Sequence, residues 1–365
     1  MINKYIRKDL KDFQPYYSPT DHYKVKLDAN ENPFPLPQNL KQEFIKWFQS
    51  ENNLNRYPDT NSTELRKELG KHWNINKDNV ICGVGSDQLI DCMMKAFLEP
   101  KDKVLIPNPS FSMYTLTTQM NHGIPVTVSL KNNYDYEVDD ILTAYYKYKP
   151  KIIILCTPNN PTGNELSIQN IEQIISQVSC PVLVDEAYGE FTNISMIPFI
   201  KKYSHLFIIR TFSKAFGLAG IRLGYGVGSQ EIINAISITK PPFNINILSE
   251  KMALFALKQI PTYDKQIRIL QNEKKWLEEQ LKLIGCTVYP SKANFLLVQI
   301  KHKDLYKNLK ERNILVRNFS THPHLSYCIR ITVGTREENT FLIKAIKDII
   351  NSKKGNLYEQ EKSKD

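Results

Sequence analysis

Leu206-Phe207-Ile208-Ile209-Arg210-Thr211-Phe212-Ser213-Lys214-Ala215-Phe216-Gly217-Leu218-Ala219-Gly220-Ile221-Arg222-Leu223-Gly224 opens on a short apolar run and breaks into hydroxyls, glycines, one lysine and one arginine. Four apolar residues bounded by turn chemistry read as a buried strand, and Leu206–Ile209 is the last of six such runs. Val80–Cys82, Val104–Ile106, Pro125–Val128, Ile152–Cys156 and Pro181–Val184 precede it, with helical periodicity between them, as in Gln88–Phe97 and Ile168–Ile175. Strand alternating with helix over this length predicts an α/β fold with a mostly parallel central sheet. Lys214 then stands just beyond the carboxyl end of a strand, where open α/β sheets gather ligands. Partial burial and nearby cations lower the pKa of such a lysine and free an amine that can attack a carbonyl. The plainer alternative is a surface lysine in a glycine-rich loop.

Outward from this stretch the pattern changes at both ends. Pro15, Pro19, Pro33 and Pro35, set among tyrosines and asparagines, predict an extended arm laid on another surface. Leu40, Phe44, Ile45, Trp47 and Phe48, and then Leu65, Leu69 and Trp73, predict two helices separated by the turn Tyr57-Pro58-Asp59-Thr60-Asn61. Asn61 with Glu64 forms a candidate capping box for the second. Beyond the sheet, Leu248–Leu257 and Ile267–Ile284 read as longer helices, the latter stopped by Gly285. Strands at Phe295–Ile300 and Tyr327–Val333, a helix near Leu305–Glu311 and a last helix at Glu337–Ile350 make a smaller α+β lobe. The predicted division is an arm at 1–35, a large domain at 36–245, a small C-terminal domain at 246–351 and a disordered, solvated tail at 352–365.

Composition narrows the function classes. In 365 residues, 48 Lys and Arg against 38 Asp and Glu give a net charge of +10, but the charges are dispersed, so no nucleic-acid partner is expected. The longest apolar run, Ile152–Cys156, is far short of the roughly 20 residues of a membrane helix, and the charged start lacks the core of a secretory signal. A cytoplasmic protein without membrane contact is expected. Six cysteines without a Cys-x-x-Cys read as buried reduced thiols. His322-Pro323-His324 has no companion ligands and reads as polar surface, so no metal is expected.

Three other segments end strands with chemistry. Val182-Leu183-Val184-Asp185-Glu186-Ala187-Tyr188 delivers a carboxylate and, three residues on, a phenol. Thr157-Pro158-Asn159-Asn160-Pro161-Thr162-Gly163 is a turn after another apolar strand, and Gly83-Val84-Gly85-Ser86-Asp87 lies between a strand and a helix, so its amides can face an anion. An amide, an acid, a phenol, an amine and a guanidinium thus lie beyond successive strand ends.

This set resembles the fold-type I pyridoxal-phosphate aminotransferases. The Asn-Asn-Pro-Thr-Gly turn, the Asp-x-x-Tyr and the Ser-Lys-x-x-x-Leu-x-Gly-x-Arg occur in that family's order, with Lys214 29 residues beyond Asp185. The resemblance implies pyridoxal 5'-phosphate as cofactor, with Lys214 carrying the Schiff base, Asp185 pairing with the pyridinium nitrogen, and Asn160 and Tyr188 hydrogen-bonding the ring 3-oxygen. Lys214, Asp185 and Tyr188 are then the catalytic residues. It implies phosphate contacts from Gly85, Ser86, Thr211, Ser213 and Arg222. Phe111, in Pro109-Ser110-Phe111-Ser112-Met113-Tyr114, is then the ring-stacking aromatic.

Leu27-Asp28-Ala29-Asn30-Glu31-Asn32-Pro33-Phe34, Asn55-Arg56-Tyr57-Pro58-Asp59, Ile314-Leu315-Val316-Arg317 and Ile329-Arg330-Ile331-Thr332-Val333-Gly334-Thr335 are similar to the histidinol-phosphate aminotransferase branch. The likeness runs from about Ile6 to Ile350. It implies transamination between histidinol phosphate and 2-oxoglutarate, and a homodimer in which Tyr57 reaches the partner's coenzyme phosphate. Arg317 and Arg330 would grip the substrate phosphate, since guanidinium forks bind oxyanions bidentately, with the imidazole near Tyr17 and Asn30. An aromatic aminotransferase or a threonine-phosphate decarboxylase uses the same lysine, aspartate and arginines, and both stay open at this point. Two features depart from the branch: Pro35 replaces its usual glycine, and His322-Pro323-His324 replaces a Gly-bearing loop.

Overall fold

The computed structural model describes residues 2–10, 22–51, 53–192, 194–302 and 304–362. In chain order the strands are β1 (Val25–Leu27), β2 (Val80–Gly83), β3 (Lys103–Asn108), β4 (Ile124–Ser129), β5 (Ile152–Cys156), β6 (Val182–Asp185), β7 (Leu206–Thr211), β8 (Gly224–Gly228), β9 (Thr287–Val288), β10 (Phe295–Gln299), β11 (Ile314–Asn318) and β12 (Cys328–Thr332). Seven of them form one sheet in the order β2-β8-β7-β6-β5-β3-β4, and five form another in the order β1-β11-β12-β10-β9. The fold is α/β, as expected.

In the large sheet every pairing is parallel except those of β8, which runs antiparallel to β2 and β7. Its central strands are apolar end to end because helices cover both faces. Leu105, Ile153, Val184 and Ile208 pack with Ile141, Ile171 and Ile174 on one side. Ile106, Ile154, Leu183, Phe207 and Ile209 pack with Leu89, Met93, Met94 and Ile236 on the other. β8 escapes a pattern search because three of its five residues are glycine. The small residues make room for neighbours: a β-carbon at Gly226 would collide with the Phe207 ring.

Several boundaries differ from the sequence reading. The arm is not merely laid on a surface, for β1 pairs parallel with β11, Val25 opposite Ile314. Val25 and Leu27 alternate inward and share a core with Leu296, Val298, Val316, Ile331 and Ile346. The helix Ile247–Leu257 packs on the helices Gln38–Ser50 and Thr63–Trp73, with Ala253, Leu254 and Ala256 in the large-lobe core. The small lobe therefore starts after that helix rather than at 246. The helix Ile260–Leu283 bridges the lobes: Tyr263 lies in the large-lobe core and Leu277 and Leu281 in the small-lobe core. Gly285 ends it at φ +86°, with the Cys286 N–H donating to the Leu281 carbonyl and the Gly285 N–H to that of Lys282.

Two helix starts also correct the reading. The helix Thr63–Trp73 is not capped by the Asn61/Glu64 box. Asp59 curls over its first turn, its carboxylate accepting the N–H groups of Thr63 (2.7 Å) and Asn61 (3.0 Å), and a full negative charge there also suits the helix dipole. A true capping box opens the last helix: Thr335 N–H donates to Glu338 Oε2 (2.8 Å) and Glu338 N–H to Thr335 Oγ1 (3.3 Å). That helix spans Arg336–Lys362, so residues 352–362, assigned above to a disordered tail, have helical backbone; their Lys, Glu and Gln content suits a helix. The six cysteines are all free thiols. No helix among the described residues is long and apolar enough to cross a membrane.

Candidate active site

The carboxyl ends of β5, β6 and β7 lie side by side, with Cys156 paired to Asp185 and Asp185 to Ile209. Parallel strands direct their following loops to one edge, and this edge carries the chemistry. Asp185, at the end of β6, is buried and accepts hydrogen bonds from the Ala187 N–H (2.9 Å) and the Tyr114 hydroxyl (2.6 Å). Burial pushes its carboxyl up to about 6 against the pull of those two donors. Tyr114 went unselected in the sequence; its signal was its place one helical turn beyond Phe111. The two rings meet edge to face at 5.5 Å, and Phe111 is half-buried.

Lys214, three residues past β7, donates from Nζ to the Ala29 carbonyl (2.8 Å) across the lobe boundary. Burial, aided by the charge of Arg330, lowers its ammonium to about 8. A larger fraction of free amine is therefore present at neutral pH than in an ordinary lysine. Tyr188 is buried against Phe295, ring centroids 5.1 Å apart, and its oxygen accepts from Asn30 Nδ2 (2.8 Å).

Asn30 joins the pieces together. At φ +55° it follows β1 in a left-handed conformation that asparagine tolerates. Its N–H donates to Thr332 Oγ1 (2.9 Å), its carbonyl accepts from Asn294 Nδ2 (3.1 Å), and its Oδ1 accepts from the Thr332 hydroxyl (3.2 Å). At 1% exposure, with both ends of its amide engaged by protein, it forms the wall behind Tyr188.

Arg330 reaches from β12 to the turn after β5. Its Nη1 donates to Asn160 Oδ1 (2.5 Å) and its Nη2 to the Asp28 carbonyl, while Phe295 and Phe319 lie 5.4 and 5.9 Å from its guanidinium. Arg317 is directly opposite Arg330 in the β11–β12 register, so both side chains leave the same face of the sheet. The two arginines that the resemblance assigned to one anion thus stand side by side on neighbouring strands of the small lobe.

At the other end, the helix Gly85–Phe97 points its first amides at the same edge. Gly85 has φ +69° and donates to the Arg222 carbonyl (3.0 Å), and a β-carbon on it would sit 2.8 Å from Arg222 Nη2. A β-carbon on Gly224 would collide with the Ser86 amide nitrogen, so the glycine lets strand and helix terminus close together. Arg222 is half exposed, 3.4 Å from Asp87 Oδ2, and Thr211 and Ser213 are buried at the end of β7, Thr211 Oγ1 accepting the Ser213 N–H (3.1 Å). Helix amides, hydroxyls and a guanidinium fit a phosphate. A cavity of about 300 Å³ opens between the lobes beside Ser213, Gly217, Asn32 and Thr332.

Two expected residues stand apart. Tyr57 is 80% exposed and stacks on Phe243 at 4.4 Å, on the outer surface. Tyr17 lies outside the described residues.

The comparisons agree with this geometry. Residues 23–346 match the family model Aminotransferase class I and II. A histidinol-phosphate aminotransferase of Ruminiclostridium cellulolyticum is 44% identical over 348 residues, 94% of this chain and 97% of that one. The crystal structure of the histidinol-phosphate aminotransferase from Clostridium acetobutylicum superimposes with a TM-score of 0.83 at 27% identity, covering 90% of this chain and 99% of that one. The Sinorhizobium meliloti enzyme, solved in complex with pyridoxal-5'-phosphate, shares the fold with a TM-score of 0.88 at 20% identity, covering 94% of this chain and 97% of that one. This chain belongs to the class I and II aminotransferases.

Proposed function

We propose that the chain catalyses pyridoxal-phosphate-dependent transamination between L-histidinol phosphate and 2-oxoglutarate, giving 3-(imidazol-4-yl)-2-oxopropyl phosphate and L-glutamate, a step of histidine biosynthesis. The observation that carries the reading is the convergence of the Lys214 amine, the Asp185 carboxylate and Arg330 on one strand edge, in a chain 44% identical to a histidinol-phosphate aminotransferase. When bound, pyridoxal 5'-phosphate supplies an electron sink for charge developing at the substrate Cα.

The chain's own groups do the rest. Asp185 pairs with the ring nitrogen, Asn160 and Tyr188 with the 3-oxygen, and Phe111 stacks on the ring. Gly85, Ser86, Thr211, Ser213 and Arg222 hold the phosphate. Asn30 donates to the Tyr188 oxygen, which leaves the phenolic hydrogen for the coenzyme. Lys214 would hold the coenzyme and take up the proton at the substrate Cα, a task suited to an amine near 8. Arg330 and Arg317 grip the distal anion of both substrates, a phosphate in one and a carboxylate in the other, and Tyr17 lies along the imidazole. The enzyme works as a cytoplasmic homodimer in which exposed Tyr57 serves the partner's coenzyme phosphate. Free thiols suit a reducing compartment.

The test is a single turnover of the loaded enzyme followed by absorbance. Histidinol phosphate should convert the coenzyme to its amine form, whereas free histidinol should not. Release of carbon dioxide from threonine phosphate, without that conversion, would replace this reading by a decarboxylase.

A further inference from the structure

Asp185 poses a problem that arises before the coenzyme binds. It is buried at the end of β6, where desolvation drives a carboxyl toward its neutral form, and a neutral carboxyl cannot hold a pyridinium. The groups facing it give little help. Asp87, from the helix Gly85–Phe97, and Glu186, on its own strand end, add negative potential. Cys156 on the adjacent strand, together with Tyr136 and Tyr188, stays uncharged because burial raises each of them. Stabilisation of the anion therefore falls to two donors, the Ala187 N–H and the Tyr114 hydroxyl. The Tyr114 bond is the shorter at 2.6 Å, and its side chain is fully buried with a phenol held well above its ordinary pKa. It is thus a permanent donor.

We infer that Tyr114 is a positioning residue for Asp185: its hydroxyl keeps the carboxylate ionised and fixes its rotamer, so that the remaining lone pairs face the coenzyme ring nitrogen. A carboxylate has about four acceptor positions, so the two protein donors leave room for the ring N–H. The segment Phe111–Tyr114 then serves the ring twice from one turn of chain, Phe111 against its face and Tyr114 through Asp185. The inference rests on the coenzyme reading above.

Equilibrium binding of pyridoxal 5'-phosphate, followed from pH 5 to 8.5, separates the two ideas. Wild-type affinity should fall as the pH drops through about 6, where Asp185 takes up its proton. Tyr114→Phe removes only the hydroxyl. Its fall should begin about one pH unit higher, with affinity down about twofold at pH 7 and approaching a loss of about tenfold near pH 5. In an Asp185→Asn background the same Tyr114→Phe change should alter affinity less than about twofold at any pH, because no charge is left to stabilise. A wild-type pH profile in Tyr114→Phe overturns the inference, as does an equal loss in both backgrounds, which is what packing alone produces. Should Tyr114→Phe not fold, 3,5-difluorotyrosine at position 114 keeps the shape and strengthens the donor, and it must move the fall to lower pH. An unmoved or raised profile overturns the inference. Failure of the wild-type chain to bind the coenzyme overturns instead the functional reading on which it rests.

Discussion

The two walls of the site are built in opposite ways. On the large-lobe wall, three adjacent parallel strands end at Cys156, Asp185 and Thr211, and each hands over its functional residue within a few positions. On the small-lobe wall, Asn30 follows β1, Asn294 precedes β10, and Arg330 and Thr332 lie in β12, all tied by hydrogen bonds between segments remote in the chain. One wall is local, and its geometry follows from the strands. The other exists only once the first and last parts of the chain have met. The proposed function puts reaction chemistry on the local wall and anion grip and alignment on the assembled one, so damage to each should look different.

The sharpest contrast comes from removing a functional group from each wall. Lys214→Ala should retain coenzyme and fold but lose turnover by at least about 10⁴-fold, the upper range for a positioned acid–base group. Borohydride reduction and peptide mapping should find the coenzyme on Lys214 in the wild type; a label on another lysine breaks the assignment. Arg330→Ala should cost both half-reactions about 2–5 kcal/mol, the range for truncating one member of a buried charged contact, and Arg330→Lys should restore little because the fork is lost. Half-reaction titrations decide it. If glutamate reacts normally while histidinol phosphate does not, the shared anion grip is wrong.

This contrast also explains what was legible in the sequence. Strands buried on both faces print as continuous apolar runs, so β5 fell where it was expected and its neighbours within a few residues. β8 was hidden because Phe207 and the helix terminus at Ser86 demand glycine where a strand would otherwise show branched residues. β1 has three residues and a parallel partner at the far end of the chain, a pairing no local window contains. Lys214, Asp185 and Asn160 were recognisable because each stands at or just past the end of its own strand. The service of Tyr114 to Asp185 and of Asn30 to Tyr188 was not, because folding alone brings those partners together.

A stability measurement tests whether the assembled wall is part of the fold or an appendage. Leu27 is 2% exposed in the small-lobe core, so Leu27→Ala should destabilise by about 2–5 kcal/mol, as core truncations do. Denaturant titration with unchanged m-value would show it. A loss under about 0.5 kcal/mol, the level of a surface substitution, would return the segment to the status of a loose arm.

The smallest effect probes a limit of local reading within the large lobe itself. Asn61 and Glu64 have the spacing of a capping box, yet the turn places Asp59 over the first amides of the helix Thr63–Trp73. Asp59→Ala should therefore cost about 1 kcal/mol, the usual worth of a helix cap, and Asn61→Ala close to nothing. The hydrogen bonds from Thr63 and Asn61 hold the Asp59 carboxyl below its ordinary value in the folded chain. Its contribution is then complete above the unfolded value near 4 and fades as the pH falls through the lower folded value. The difference between wild type and Asp59→Ala in denaturant midpoints should accordingly be constant from neutral pH to about 5 and shrink below 4. A deficit that grows on acidification, or an Asn61→Ala loss equal to that of Asp59→Ala, would restore the box and show that spacing alone placed the cap.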